Sequence, residues 1–330
     1  MQPKHKSPVK KRKVDRLQVF LIALSVAIIM YLVLTYNIKE AIDSIIHIKP
    51  MFLVLILGAW ILFSITKFLP WFYVTYRLKI KIPLRDSLPI SLIFFGLEAI
   101  PSGMAQLLPL RELDKFKKHG RKFSFSIILS LNMTSALTLI AITMITSILV
   151  SKFVVYLIAI FVTLYVLSSL LRFDFFHRFV EWVAQCLKVD EGSLGKHIHP
   201  YLKKLRENRN LMSQKNIISE MILFVPTILS EALILYLILL AFNQTLSFIA
   251  TVFVFSFSFM LATISFVFVA GFGPADLSMI ALMLAFGVPG VIAISSLLLF
   301  RFFNTVLYIL TAYVYFYIYR FFNRNKEYII

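Results

Sequence analysis

The chain has 330 residues, 60% of them hydrophobic and only 15% charged, with 33 Phe and a formal net charge of +18. So little polar surface cannot cover a soluble globule of this length, which excludes a soluble enzyme and predicts an all-α polytopic membrane protein. The basic residues cluster between apolar runs instead of spreading over one face, a pattern of membrane orientation that argues against a nucleic-acid partner.

Residues 1–16 form a basic tail carrying Lys4, Lys6, Lys10, Lys11, Arg12, Lys13 and Arg16. The run at 8–14 would pass as a nuclear-localisation pattern in a soluble protein, but in front of a membrane span it is more simply a cytoplasmic anchor on anionic lipid. Leu17 to Tyr36 has the length of a spanning helix and lacks a signal-peptide cleavage site. Asn37 to Pro50 is then a short outer loop, and Met51 to Tyr76 returns with Lys67 as a snorkelling lysine. Arg77, Lys79, Lys81 and Arg85 place the following turn inside.

Ser87 to Leu110 is long enough to cross, yet basic residues flank both of its ends, so it is predicted to dip in and return as a re-entrant hairpin. Its apex falls at Glu98 to Gly103, where Pro101 and Gly103 interrupt helix geometry. Phe123 to Val150 goes out and Phe153 to Leu171 comes back, completing an N-terminal membrane half over 17–171. Residues 172–216 are a cytoplasmic connector with an amphipathic stretch at 175–188. His197 and His199 have no Cys or carboxylate at ligand spacing, so neither a metal nor a cofactor is expected, and the single Cys186 precludes a disulfide within the chain.

The C-terminal half spans 217–320, and 321–330 is a second cytoplasmic tail. Ile217 to Phe242 crosses outward with Glu220 near the interface and Glu231 in mid-span. Asn243-Gln-Thr is a glycosylation sequon in a loop too short to favour modification. Ser247 to Ala270 returns and leads into a broken hairpin over 271–301. Gly271 and Gly273 open it, and Gly287, Pro289 and Gly290 turn it. The limb from Pro274 to Phe286 is only about 20 Å of helix, so its turn is expected inside the membrane. Asp276 lies eleven residues before Gly287 and Arg301 eleven after Gly290, which sets the two charges at similar depth. Charges at that depth are costly unless paired or hydrated, so a pair, or a cluster with Glu231 or Glu98, is predicted. In this topology of about eight spans plus broken helices, 29 of the 34 Lys and Arg residues lie on the cytoplasmic side, with both termini, as the positive-inside rule requires.

Six of the ten glycines, at 96, 103, 271, 273, 287 and 290, fall in the two broken stretches. Interrupted helices in both halves of a chain point to a transport site between them. The residues Ala270 to Asp276, Phe286 to Gly290 and Ile294 to Arg301 resemble the C-terminal signature of the lysylphosphatidylglycerol synthase membrane-region, or flippase-like, family. Gly271, Gly273, Asp276, Gly287, Pro289 and Arg301 match that pattern, whereas Ala105 and Gln106 stand where the family usually has Gly and Glu, and Asn132 replaces an arginine. The resemblance implies a multi-pass cell-membrane protein, a member without the synthetase domain, whose partners are membrane lipids. On that view Arg301 binds the anion of a phospholipid or polyprenyl-phosphate head group, Asp276 orients it, and Glu231 or Glu98 meets a cationic substituent. A purely architectural ion pair stays open, as does homo-oligomerisation. The alternative activity is a membrane-embedded transferase in lipid-linked glycan or aminoacyl-lipid synthesis, with Glu98, Glu231 or Asp276 as base. No catalytic domain, nucleotide-binding loop or Asp-x-Asp motif is recognised for it.

Overall fold

The computed structural model describes residues 38–77, 87–95 apart from 89 and 93, 122–150, 214–264 and 274–323. The predicted span at 17–36, the re-entrant apex with Glu98, Pro101 and Gly103, the span at 153–171, most of the 172–216 connector, and Gly271 with Gly273 lie outside these residues. All regular structure among the described residues is helical. In chain order the helices are α1 (Ile38–Ile46), α2 (Pro50–Arg77), α3 (Lys122–Val150), α4 (Gln214–Ala241), α5 (Phe248–Ile264), α6 (Pro274–Ala285) and α7 (Gly290–Arg301), then a π-helical turn (Phe302–Leu307) running into α8 (Tyr308–Asn323). Three stretches, Pro50–Arg77, Asn216–Ala241 and Gly290–Tyr315, are long and apolar enough to cross a membrane, and shorter apolar helices pack among them. The protein is an all-α polytopic membrane protein.

Helix α4 is the hub, lying against α2, α3, α5 and α7. Lipid tails are as apolar as leucine, so close packing and interhelical hydrogen bonds, more than water exclusion, hold such helices together. The packing is aromatic: Phe255 meets Phe300 edge-on at 6.0 Å, and Trp71 lies 5.1 Å from Phe94, the ring of a helical stretch at 87–95 that rises beside α2. Buried hydrogen bonds add to it. Thr66 Oγ1 and Ser230 Oγ join α2 to α4 at 2.9 Å. A double-mutant cycle on Thr66→Val and Ser230→Ala is expected to give a coupling of about 0.6 kcal/mol, measured by unfolding in detergent.

The end of the bundle that holds Arg77 is tied by a buried carboxylate. Glu220, 1% exposed, accepts Arg77 Nη1 at 3.0 Å and Thr134 Oγ1 at 2.9 Å, so one side chain of α4 holds α2 and α3. The sequence placed Glu220 at the interface. Its partners come from positions 143 and 86 residues away, a distance no local pattern reveals.

At the opposite end the expected outer loop at 37–50 is mostly helix α1. Ala41 and Ile48 are buried and Ile45 packs beside them, one apolar stripe at i, i+4 and i+7, while Glu40 and Ile42 face outward. The stripe lies on α7, where Ser295 Oγ donates to the Ala41 carbonyl at 3.2 Å.

Two helices end here in the same way. Gly287, with φ +86°, closes α6: its N–H reaches the Leu284 carbonyl at 2.9 Å and the Val288 N–H reaches Met283 at 3.0 Å. Asn243, with φ +56°, closes α4 through the matching bonds to Leu240 and Leu239, both 2.9 Å. These are Schellman caps, which need a left-handed residue and so select Gly or Asn. A Cβ at Gly287 would touch nothing within 4 Å. Gly287→Ala is therefore expected to cost only the backbone term, about 1 kcal/mol, read as a lowered unfolding midpoint in detergent.

The α6–α7 turn lies toward one end of the bundle. Phe286 packs on Phe253, five residues into α5, and α7 touches α1, so the turn reaches the end of the bundle that holds α1, with Gly287 and Pro289 exposed. The described part of the limb runs from Pro274 to Ala285. That puts Asp276, in its first turn, well below that end of the bundle.

Candidate functional site

The two limbs pair as antiparallel helices, and the equal spacing about the turn brings their charges into contact. Arg301 Nε donates to Asp276 Oδ1 at 2.7 Å, and Nη2 lies 2.6 Å from the same oxygen. Both side chains are shielded, at 15% and 8% exposure, and the guanidinium sits 5.5 Å over the Phe259 ring of α5. A guanidinium is always charged, so at this depth it is kept by its carboxylate and by the aromatic face.

Glu231, also buried, takes a different partner. Its Oε1 accepts the Asn304 side-chain amide, three residues beyond Arg301 and inside the π turn. One step farther, Tyr308 opens α8 and joins Phe63 and Phe95 around the Lys67 ammonium, whose Nζ lies 5.0 to 5.3 Å from the three ring centroids. Lys67 thus lies among rings within the bundle, where the sequence suggested a snorkelling residue. Arg301, Asn304 and Tyr308 meet three different helices: α6 through Asp276, α4 through Glu231 and α2 through Lys67. The result is a layer with two cations and two carboxylates in the interior of the bundle.

The π turn makes this possible. In an α-helix, positions 301, 304 and 308 would point along one face. A wider turn rotates less per residue, so Asn304 and Tyr308 swing away from the direction of Arg301 toward α4 and α2. Of the residues predicted for the site, the structure brings Asp276 and Arg301 together and sets Glu231 on the same layer through Asn304. Pro289 and Gly290 shape the turn, with Pro289 just before the first residue of α7. Asn304, Tyr308 and Lys67 were missed. The spacing of 301, 304 and 308 was visible, but which helices they meet was not.

A family model described as the lysylphosphatidylglycerol synthase TM region matches residues 18–312. The chain belongs to this family. Membership assigns it a lipid-related function in a membrane, and the matched range takes in Lys67, Glu231, Asp276, Arg301, Asn304 and Tyr308. No curated protein matches the chain significantly.

Proposed function

We propose that this family member is a flippase-like protein of the cell membrane, with cytoplasmic termini, that binds and translocates an anionic phospholipid or a polyprenyl-linked head group. The observation that carries the reading is the Arg301–Asp276 pair on a broken hairpin inside the bundle. Ionisable groups at membrane depth are expensive, and they mark ligand or ion pathways more often than architecture. Arg301 supplies the planar fork that suits a phosphate, and Asp276 fixes its orientation while no lipid is present. Exchange of Asp276 for a phosphodiester keeps the guanidinium compensated at each stage, so the cation is not stranded in a low dielectric. Glu231 stands on the same layer and suits a cationic substituent of the head group.

Reconstitution into liposomes tests the reading. Labelled phosphatidylglycerol and a polyprenyl-phosphate glycan are followed for movement between leaflets and for change of mass. Protein-dependent movement of unchanged lipid is the expected outcome. A new covalent product would instead favour the membrane-embedded transferase, and neither movement nor binding would end the proposal.

A further inference from the structure

We infer that the π turn at Phe302–Leu307 is a register device, which lets Asn304 and Tyr308 leave Glu231 and Lys67 while Arg301 stays on its own partner, and so opens the head-group layer. The inference rests on the lipid reading just given. It deepens that reading by naming the moving part. A π turn is an α-helix carrying one residue too many. It keeps the flanking helices in phase while leaving its own backbone bonds poorly matched, and it can be absorbed or displaced by small changes in hydrogen bonding. Here it lies between Arg301 and Tyr308, with Asn304 inside it. Its displacement by one position would rotate Asn304 away from Glu231 without moving α7 or the hairpin below it.

Polar groups beside the turn lack partners. Among the described residues, the buried Nε1 of Trp60, the Oγ1 of Thr227 and the Oγ of Ser296 have no hydrogen-bond partner. Trp60 touches the layer, and the other two lie on helices that contribute to it. Trp60 meets Tyr308 edge-on at 6.4 Å, Thr227 is one helical turn before Glu231 on α4, and Ser296 is five residues before Arg301 on α7. Buried polar groups left unpaired cost free energy and are rare in native proteins. Trp60, beside Tyr308, is placed to gain a partner when the π turn shifts. Val306, on the exposed side of the π turn, faces away from the core and so does not lock it.

The test is a variant lacking Val306, which removes the extra residue and lets 290–323 run as a continuous α-helix. It is expected to fold, and to move labelled phosphatidylglycerol about tenfold or more slowly. Wild-type rates in this variant would overturn the inference. Hydrogen exchange of the wild type in nanodiscs, measured with and without phosphatidylglycerol, provides a second arm if the deletion does not fold. Amides of 302–308 should exchange faster than those of 291–299, and lipid should change that difference. Equal protection of the two stretches, unaffected by lipid, would overturn the inference. A wild type that shows the exchange pattern but moves no lipid would sink the lipid reading and leave the register device standing.

Discussion

Asp276→Ala is expected to damage the protein more than Arg301→Ala, although the two remove halves of one pair. Breaking a buried ion pair by deleting one partner typically costs about 3–5 kcal/mol, because the other charge is left uncompensated. The two remnants differ. A carboxylic acid can exist in a neutral form, whereas a guanidinium stays charged under all accessible conditions. Arg301 without Asp276 must therefore find another anion or water at a depth where its side chain is only 15% exposed. Arg301→Ala should give a folded protein with a lowered unfolding midpoint and no lipid movement. Asp276→Ala should give low yield and the larger loss of stability. The exchanged pair, Asp276→Arg with Arg301→Asp, should recover stability relative to Asp276→Ala and not recover lipid movement, since the cation would then sit on α6. Unfolding in detergent and leaflet exchange read the two effects separately. Equal losses for the two single variants would show that solvent already reaches the pair.

Glu220→Ala has the second large effect, and it is structural. Glu220 is 1% exposed and receives both Arg77 and Thr134, so its loss unties α2 and α3 from α4 at that end of the bundle. Arg77 is the last residue of α2 and can turn toward water from there, which lowers the penalty below that of a pair in mid-bundle, to about 2 kcal/mol. Glu220→Gln should lose less, because the amide oxygen can still accept from Thr134. The signature is faster hydrogen exchange at 68–77 and 214–222, with the Asp276–Arg301 end unchanged. Lipid movement should fall only in proportion to the folded fraction. A selective loss of movement in a fully folded Glu220→Gln protein would give this cluster a functional role.

The hairpin was legible because it is written in local terms: Gly287, Pro289 and Gly290 break the helix, and equal spacings on either side set Asp276 against Arg301. The depth of its turn was not legible. Limb length alone cannot say which part of the bundle a turn reaches, whereas Phe286 on Phe253 places it beside the first turns of α5. Helix α1 was hidden by Lys39, Glu40, Asp43, His47 and Lys49, which made 37–50 read as a loop, although the apolar stripe at 41, 45 and 48 was present in the sequence. The π turn is a harder case. Phe-Phe-Asn-Thr-Val-Leu carries no composition that separates a π turn from an α-helix. Its pairing with Glu231, and the place of Tyr308 beside Lys67, come from helices far away in the sequence. Lys67 looked like an interfacial lysine for the same reason, since its rings are contributed by positions 63, 95 and 308.

The most direct measurement is leaflet exchange of labelled phosphatidylglycerol in liposomes of equal protein content, comparing wild type with Arg301→Ala after both are shown to be folded and inserted. The account predicts protein-dependent exchange for the wild type and exchange at the protein-free rate for Arg301→Ala. Equal exchange by the two proteins would contradict it, because the guanidinium inside the bundle would then be architecture alone.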